Sequence, residues 1–172
     1  SMILLANKVK NNIADYDLVR KMRASILILG PLLSRFNKVK ISLPGGCAIG
    51  ARPIDIHLDG LRKLGASFSI NNGYIIGEVN NSLKGSIINL PIASVGATEN
   101  IMMAAVLAKG KTKIVNAARE PEIGDLAECL LKMGAKIKGI GTKIIQIEGV
   151  KELNKAEHKI IPDRIVAGTY LI

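Results

Sequence analysis

The chain repeats itself, and the repeat restricts the folds open to it more than any other feature. The segment LRKLGASFSINNGYIIGEV, starting at Leu61, returns at Leu130 as LLKMGAKIKGIGTKIIQIEGV. Gly65 aligns with Gly134, an offset of 69 positions. In each copy a helical pattern stops at a glycine suited to the left-handed C′ position. Two short strands come next, joined at a turn that holds Gly73 or Gly141. Ahead of each copy lies a short alternating strand, NKVKISLP or GKTKIVNA, and ahead of that an apolar helix. The first helix is expected over residues 16–36, with Leu18, Met22, Ile26, Leu29 and Phe36 at helical spacing. The second, over residues 97–107, is apolar nearly all round from Ile101 to Leu107 and should be buried between layers. Met22, Met102, Met103 and Met133 fall on these helical faces and read as core.

One unit is therefore helix, strand, helix, strand, strand, with an extended lead-in. LKGSIINLP is the lead-in of the second copy, and AEHKIIPDRIVAGTYLI reads as that of a third, with Leu90-Pro91 matching Ile161-Pro162. The first copy shows no lead-in strand. The predicted class is α/β (α+β), about two complete units plus the start of a third, within a longer repetitive protein. Ser1-Met2 reads as a tag scar, and residues 1–14 as scar and lead-in. Residues 15–172 are expected to form one domain truncated at both ends, with repeats at about 16–80 and 83–150 and a partial third from 156.

The repeat also exposes an insertion. Ile41 to Pro53 spans 12 positions and Ile114 to Pro121 only 7, so the first copy carries about five extra residues. They fall in PGGCAIGARPIDIH, residues 44–57. A loop present in one copy and dispensable in the other serves a site more often than a core. It places Cys47 among glycines, five residues from Arg52, where a neighbouring cation favours the thiolate. Cys129, beside Leu126, Leu130 and Met133 on a helical face, reads as core. A Cys47–Cys129 bridge is the one pairing the chain allows, but so few cysteines without metal-type spacing fit a reducing compartment.

Composition narrows the partners. The net charge is +10, but the lysines are dispersed and aromatics make up only 3% of the chain, so base-stacking platforms are scarce. A solvated lysine-rich surface is the first explanation of this charge, a phosphate-bearing small ligand the next, and nucleic acid the third. No apolar run is long enough to cross a bilayer, so no membrane insertion is expected.

The stretches PGGCAIGARPIDIHLDGL, YDLVRKMRASILILGPLL, SVGAT, NAAREPEI and IPDRI together resemble the UDP-N-acetylglucosamine enolpyruvyl transferases, members of the EPSP synthase-like superfamily. The resemblance runs from about Tyr16 to the C-terminus. It implies an inside-out α/β barrel of βαβαββ units with helices packed inside, and a cleft facing a second domain. It implies a cytoplasmic enzyme of peptidoglycan synthesis, and so of cell-wall biogenesis, cell shape and division. The reaction moves enolpyruvyl from phosphoenolpyruvate to the 3-hydroxyl of the UDP-sugar and releases phosphate, without cofactor or metal. Cys47 matches the loop cysteine alkylated by fosfomycin, and Arg52 the arginine that meets phosphate. Arg23 matches an arginine near the diphosphate. Arg52, Pro53, Ile54, Asp55 and Ile56 match a uridine-nucleotide segment, and Ser94, Val95 and Gly96 a second nucleotide-binding stretch.

The chain departs from the family at Ile92, where many members are basic, and it lacks the family's early Lys-Asn pair; Asn7-Lys8 and Asn154-Lys155 stand in other contexts. The second domain, which carries the general-base aspartate, is not in these residues. The isolated chain is therefore expected to be inactive, and a non-catalytic UDP-sugar-binding or structural domain is the competing reading. Asp55, after Pro53, is a candidate helix N-cap. His57, just inside that helix, reads as structural or as a support for Asp55. His158 reads as surface, and Glu120 and Glu122 as polar residues near the cleft.

Overall fold

Two sheets of four strands carry the repeat in the structure, a computed structural model that describes residues 2–6, 9, 12–43 and 54–172. In the first, β1 (Ile13–Ala14) runs parallel to β2 (Lys38–Ser42). The hairpin of β3 (Ala66–Asn71) and β4 (Tyr74–Val79) adds antiparallel strands, in the order β1-β2-β4-β3. In the second, β5 (Ile87–Asn89) is parallel to β6 (Lys111–Val115), and β7 (Lys136–Lys138) and β8 (Ile144–Glu148) complete the same order, β5-β6-β8-β7. Ile41 pairs with Ile75, and Ile114 with Ile145. Alternation sends Val39 and Ile41 inward and Lys38 and Lys40 outward; in β6 it buries Thr112 and Ile114 and turns Lys111 away. Asn72 and Gly73, with φ of 48° and 75°, give the β3–β4 hairpin the double positive-φ turn that matches strand twist. Gly65 and Gly134, at φ of 100° and 95°, stop the helices ahead of β3 and β7 as the sequence predicts.

The first copy does have a lead-in strand, β1, contrary to expectation. It is only two residues long, and its parallel partner lies 27 positions away (Ile13↔Lys40), so no local pattern announces it. The long first helix is also not one helix. It is α1 (Tyr16–Val19), a 3-10 segment (Arg23–Ile28) and α2 (Leu29–Phe36). Met22 is extended, at φ −151° and ψ 122°, which separates α1 from the 3-10 segment. Pro31 supplies no N–H and its ring crowds the carbonyl four residues back, so a regular α-helix cannot run through it from residue 27. Of the five residues expected on one buried face, Ile26 and Leu29 are buried; Leu18, Met22 and Phe36 are exposed.

Three longer helices complete the two units: α3 (Asp55–Lys63), α4 (Val95–Ala105) and α5 (Pro121–Lys132). α4 meets the expectation of burial: Ile101, Met102, Ala104 and Ala105 have no exposed surface, and α2, α3 and α5 all pack on it. Met102 is core and Met103 and Met133 lie against it, but Met22 does not. Two glycines make the close approach possible. A Cβ on Gly30 of α2 would stand 2.7 Å from Asn100 Oδ1, and one on Gly60 of α3 would stand 2.7 Å from Ile101 Cγ1.

Equivalent positions measure the insertion directly. Ile41 to Gly65 spans 24 positions and Ile114 to Gly134 spans 20, so the first copy is longer by four residues rather than five. The inserted segment, with Cys47, Arg52 and Pro53, lies outside the described residues.

The third lead-in forms no strand among the described residues. The segment instead lies along α5. His158 Nε2 is 2.9 Å from Asp125 Oδ1, and the His158 side chain is only 10% exposed, so it is not a surface residue as expected. α6 (Arg164–Leu171) then starts at Asp163, whose carboxylate accepts from Ile165 N and Val166 N. None of its residues is buried.

Candidate functional site

Both copies contribute to one cleft, of about 520 Å³. The first copy sends Arg23 from the 3-10 segment and Ile56 and His57 from α3; the second sends Ser94, Val95 and Gly96 from the start of α4. Six residues singled out from sequence, dispersed between positions 23 and 96, thus line the same space. Ile92 and Glu99 line it too.

The wall built by α4 is fixed by its own caps. Ser94 is the N-cap, and its Oγ accepts from Ala97 N at 3.3 Å. Thr98 Oγ1 donates to Ser94 O at 2.7 Å and accepts from Ala118 N at 3.1 Å, which ties this helix end to the segment before α5. The first-turn N–H groups of Val95 and Gly96 have no acceptor within the helix, and the helix dipole adds partial positive charge there. With Arg23 in the same cleft, the local chemistry favours an anion or a strongly polar oxygen.

His57 is 6% exposed. Burial, and secondarily the charge of Arg23, pull its pKa from 6.5 to about 4, so the ring is neutral at pH 7. Its Cε1–Nε2 edge faces Gly96: a Cβ there would lie 3.1 Å from Cε1 and 3.5 Å from Nε2. Asn100 Nδ2 is 3.2 Å from His57 Nδ1 on the other edge. Sequence reasoning missed Asn100. The available signal was a polar residue directly ahead of the apolar run at residues 101–107 in a helix expected to be buried, where a polar group must find partners inside. Glu99 titrates above the usual carboxylate range, raised first by burial and then by the charge of Glu122.

Other expected site residues are elsewhere. Asp55 is not the N-cap of α3: Ile54 holds that position without a side-chain cap bond, and Asp55 sits in the first turn, where its charge suits the dipole. Neither Asp55 nor Ile54 lines the cleft; Ile54 packs partly buried on the core. Glu120 lines a separate hollow with Arg119 and Lys143, and its carboxylate accepts from Arg119 N at 2.8 Å. Glu122 pairs with Arg164 at 3.0 Å; its own backbone N–H and that guanidinium hold its pKa down. Cys129 is a free, half-buried thiol on the groove between α5 and the C-terminal segment, not a core residue. Cys47, Arg52 and Pro53 fall outside the described residues.

These two sheets with helices gathered on α4 are the enolpyruvyl-transferase fold. The chain belongs to the EPSP synthase (3-phosphoshikimate 1-carboxyvinyltransferase) family, whose pattern matches residues 2–172. Among its relatives are proteins named UDP-N-acetylglucosamine 1-carboxyvinyltransferase. The one from Paramagnetospirillum magneticum is 57% identical over 169 residues, covering 98% of this chain and 39% of that protein. The one from Endomicrobium trichonymphae is 64% identical over 161 residues, covering 94% and 38%. The chain thus spans about two-fifths of the relatives it matches. Among solved structures, the enolpyruvyl transferase NikO from Streptomyces tendae shares the fold at a TM-score of 0.76 and 21% identity, over 91% of this chain and 37% of that one.

Proposed function

We propose that this chain forms the nucleotide-sugar-binding part of an enzyme that transfers enolpyruvyl from phosphoenolpyruvate to the 3-hydroxyl of UDP-N-acetylglucosamine. The observation that carries the reading is the cleft where Arg23, His57 and the capped start of α4 converge from the two copies. Relatives 57% and 64% identical carry the corresponding name. In this reading Arg23 and the Val95–Gly96 amides hold the diphosphate, and Ile54, Asp55 and Ile56 belong to the nucleotide segment. Cys47 and Arg52 close over the second substrate. The sugar hydroxyl adds to C2 of phosphoenolpyruvate while C3 takes a proton; loss of the C3 proton and of phosphate then restores the enol ether. Arg52 stabilises the departing phosphate, and its planar fork suits two anionic oxygens. The proton-abstracting base and a second anion clamp come from outside these residues, so the isolated chain binds without turning over.

The same reading places the protein in the cytoplasm, in cell-wall biogenesis and thereby in cell shape and division, and makes Cys47 the target of fosfomycin. It involves neither nucleic acid nor cofactor. No helix among the described residues is long and apolar enough to cross a membrane. The test is a chimera in which this chain replaces the matched segment of a full-length relative. Phosphate release from the two substrates, abolished by Cys47→Ala together with Arg52→Ala, is the expected result. A folded chimera without activity, or one indifferent to both substitutions, contradicts the proposal.

A further inference from the structure

Asn100 is fully buried, and its amide faces three groups. Gly30 N donates to Oδ1 at 2.7 Å, and Nδ2 donates to Ile26 O at 3.0 Å. A backbone N–H can only donate and a carbonyl can only accept, so these two contacts fix which end of the amide is oxygen. The remaining Nδ2 hydrogen is directed at His57 Nδ1, 3.2 Å away. Nδ1 must therefore accept, and the single proton of the neutral ring must sit on Nε2. The Nε2 edge is the one that faces Gly96 at the start of α4, and His57 lines the cleft there.

We propose that Asn100 is a positioning residue that locks His57 as the Nε2–H tautomer, so that His57 serves as a neutral hydrogen-bond donor to the ligand held at the start of α4. The inference rests on the reading of this cleft as a nucleotide-sugar site, but its first test does not. The division of labour is chemically sensible. Arg23 supplies charge for a phosphate, whereas a neutral N–H adds direction without placing a second cation beside the guanidinium. The lock also spans the repeat. The carbonyl of Ile26 belongs to the 3-10 segment that carries Arg23, the amide of Gly30 to α2 directly after it, His57 to α3 and Asn100 to α4, so one amide ties together the three elements that line the cleft. Among the described residues, the charged groups that share the cleft with the ring are Arg23 on the 3-10 segment and Glu99 on α4. Arg23 opposes protonation of the ring, consistent with a donor that stays neutral at working pH.

The experiment is nitrogen NMR of the 172-residue protein labelled at histidine, which has only two rings to resolve, His57 and His158. A His57→Gln variant assigns them. The expected spectrum shows His57 with Nε2 protonated, Nδ1 bare, and no titration until the pH approaches about 4. A proton on Nδ1, or a midpoint near the ordinary 6.5, overturns the lock. Asn100→Asp replaces the donor with an acceptor, so it should move the proton to Nδ1 and raise the midpoint above 6.5. An unchanged tautomer in folded Asn100→Asp also overturns it, and if that variant does not fold the wild-type spectrum still decides. UDP-N-acetylglucosamine is then added to a second sample labelled uniformly with nitrogen-15, in which the backbone amides of residues 94–96 are read beside the His57 ring. A shift of the His57 Nε2 resonance supports the donor role. Shifts at Ser94–Gly96 with Nε2 unmoved remove that role and leave the site reading intact, and no shift at saturating ligand overturns both.

Discussion

His57 makes the protein sensitive to acid in a direction that can be worked out. Its pKa is about 4 in the folded protein against 6.5 for an ordinary imidazole, so between those values the unfolded chain binds a proton that the folded chain refuses. The contribution is fully present above pH 6.5 and is lost as the pH falls toward 4. The shift corresponds to roughly 3 kcal/mol. In His57→Gln this part of the acid dependence should vanish: urea midpoints measured at neutral and mildly acidic pH should lie closer together than in the wild type. Equal slopes would mean that the imidazole is not held neutral by the fold. Asn100→Ala should cost about 3 kcal/mol or more, because it strands a buried amide and a buried carbonyl together, each worth about 1–3 kcal/mol. Thermal unfolding should register it as a drop of several degrees, about 2–4 °C for each kcal/mol in a chain of this size. A loss within experimental scatter would contradict the hydrogen-bond assignment. Neither residue announced its role. His57 was legible only as a neighbour of a motif, and Asn100 only as a polar interruption. Their partners lie 43 to 74 positions apart in sequence, which no local pattern encodes.

The elements legible in the sequence are those whose signal is local. The C′ glycines at Gly65 and Gly134, the turn glycines at Gly73 and Gly141, and the alternation of β2 and β6 each occupy a few adjacent residues, and all stand where they were expected. The failures share a different cause. β1 exists because β2 offers it an edge, and the 3-10 segment exists because Pro31 and an extended Met22 defeat a helical pattern that periodicity alone would grant. The C-terminal lead-in, matched to a strand by its place in the repeat, forms none among the described residues and is fastened to α5 through His158. Contact between helices obeys the same logic, and two glycines separate its causes. Gly30→Ala puts a methyl group against Asn100 and should destabilise by about 1–3 kcal/mol through overpacking. Gly124→Ala, on α5, meets nothing closer than 4.0 Å and should stabilise by up to about 1 kcal/mol, since it removes backbone freedom from the unfolded chain. Chemical denaturation of the two variants should move in opposite directions; equal destabilisation would show that α2 does not owe its closeness to α4 to the missing side chain.

At the scale of the whole molecule, duplication supplies two similar units and the cleft arises because they are joined through α4. The first unit brings Arg23 and His57 and the second brings a helix start with unsatisfied amides, so neither copy alone holds the set. The inserted segment with Cys47 and Arg52 belongs to one copy only, so the two copies differ in sequence on this side of the repeat. The cleft was legible as a set of residues and not as a place: Glu120, Glu122 and Asp55 belonged to that set and lie outside the cleft, because position along a motif does not say which face of a helix a side chain leaves from. The central claim is that Arg23 and the start of α4 form an anion-binding nucleotide site. It is tested most directly by calorimetric titration of UDP-N-acetylglucosamine into the wild type and Arg23→Ala, each first shown to unfold at the same temperature. Binding by the wild type and a loss of about 10- to 150-fold in affinity in the variant are predicted, the range for one charge-assisted hydrogen bond of about 1.5–3 kcal/mol. Equal affinity in the two proteins, or no heat from the wild type at saturating ligand, would contradict the account.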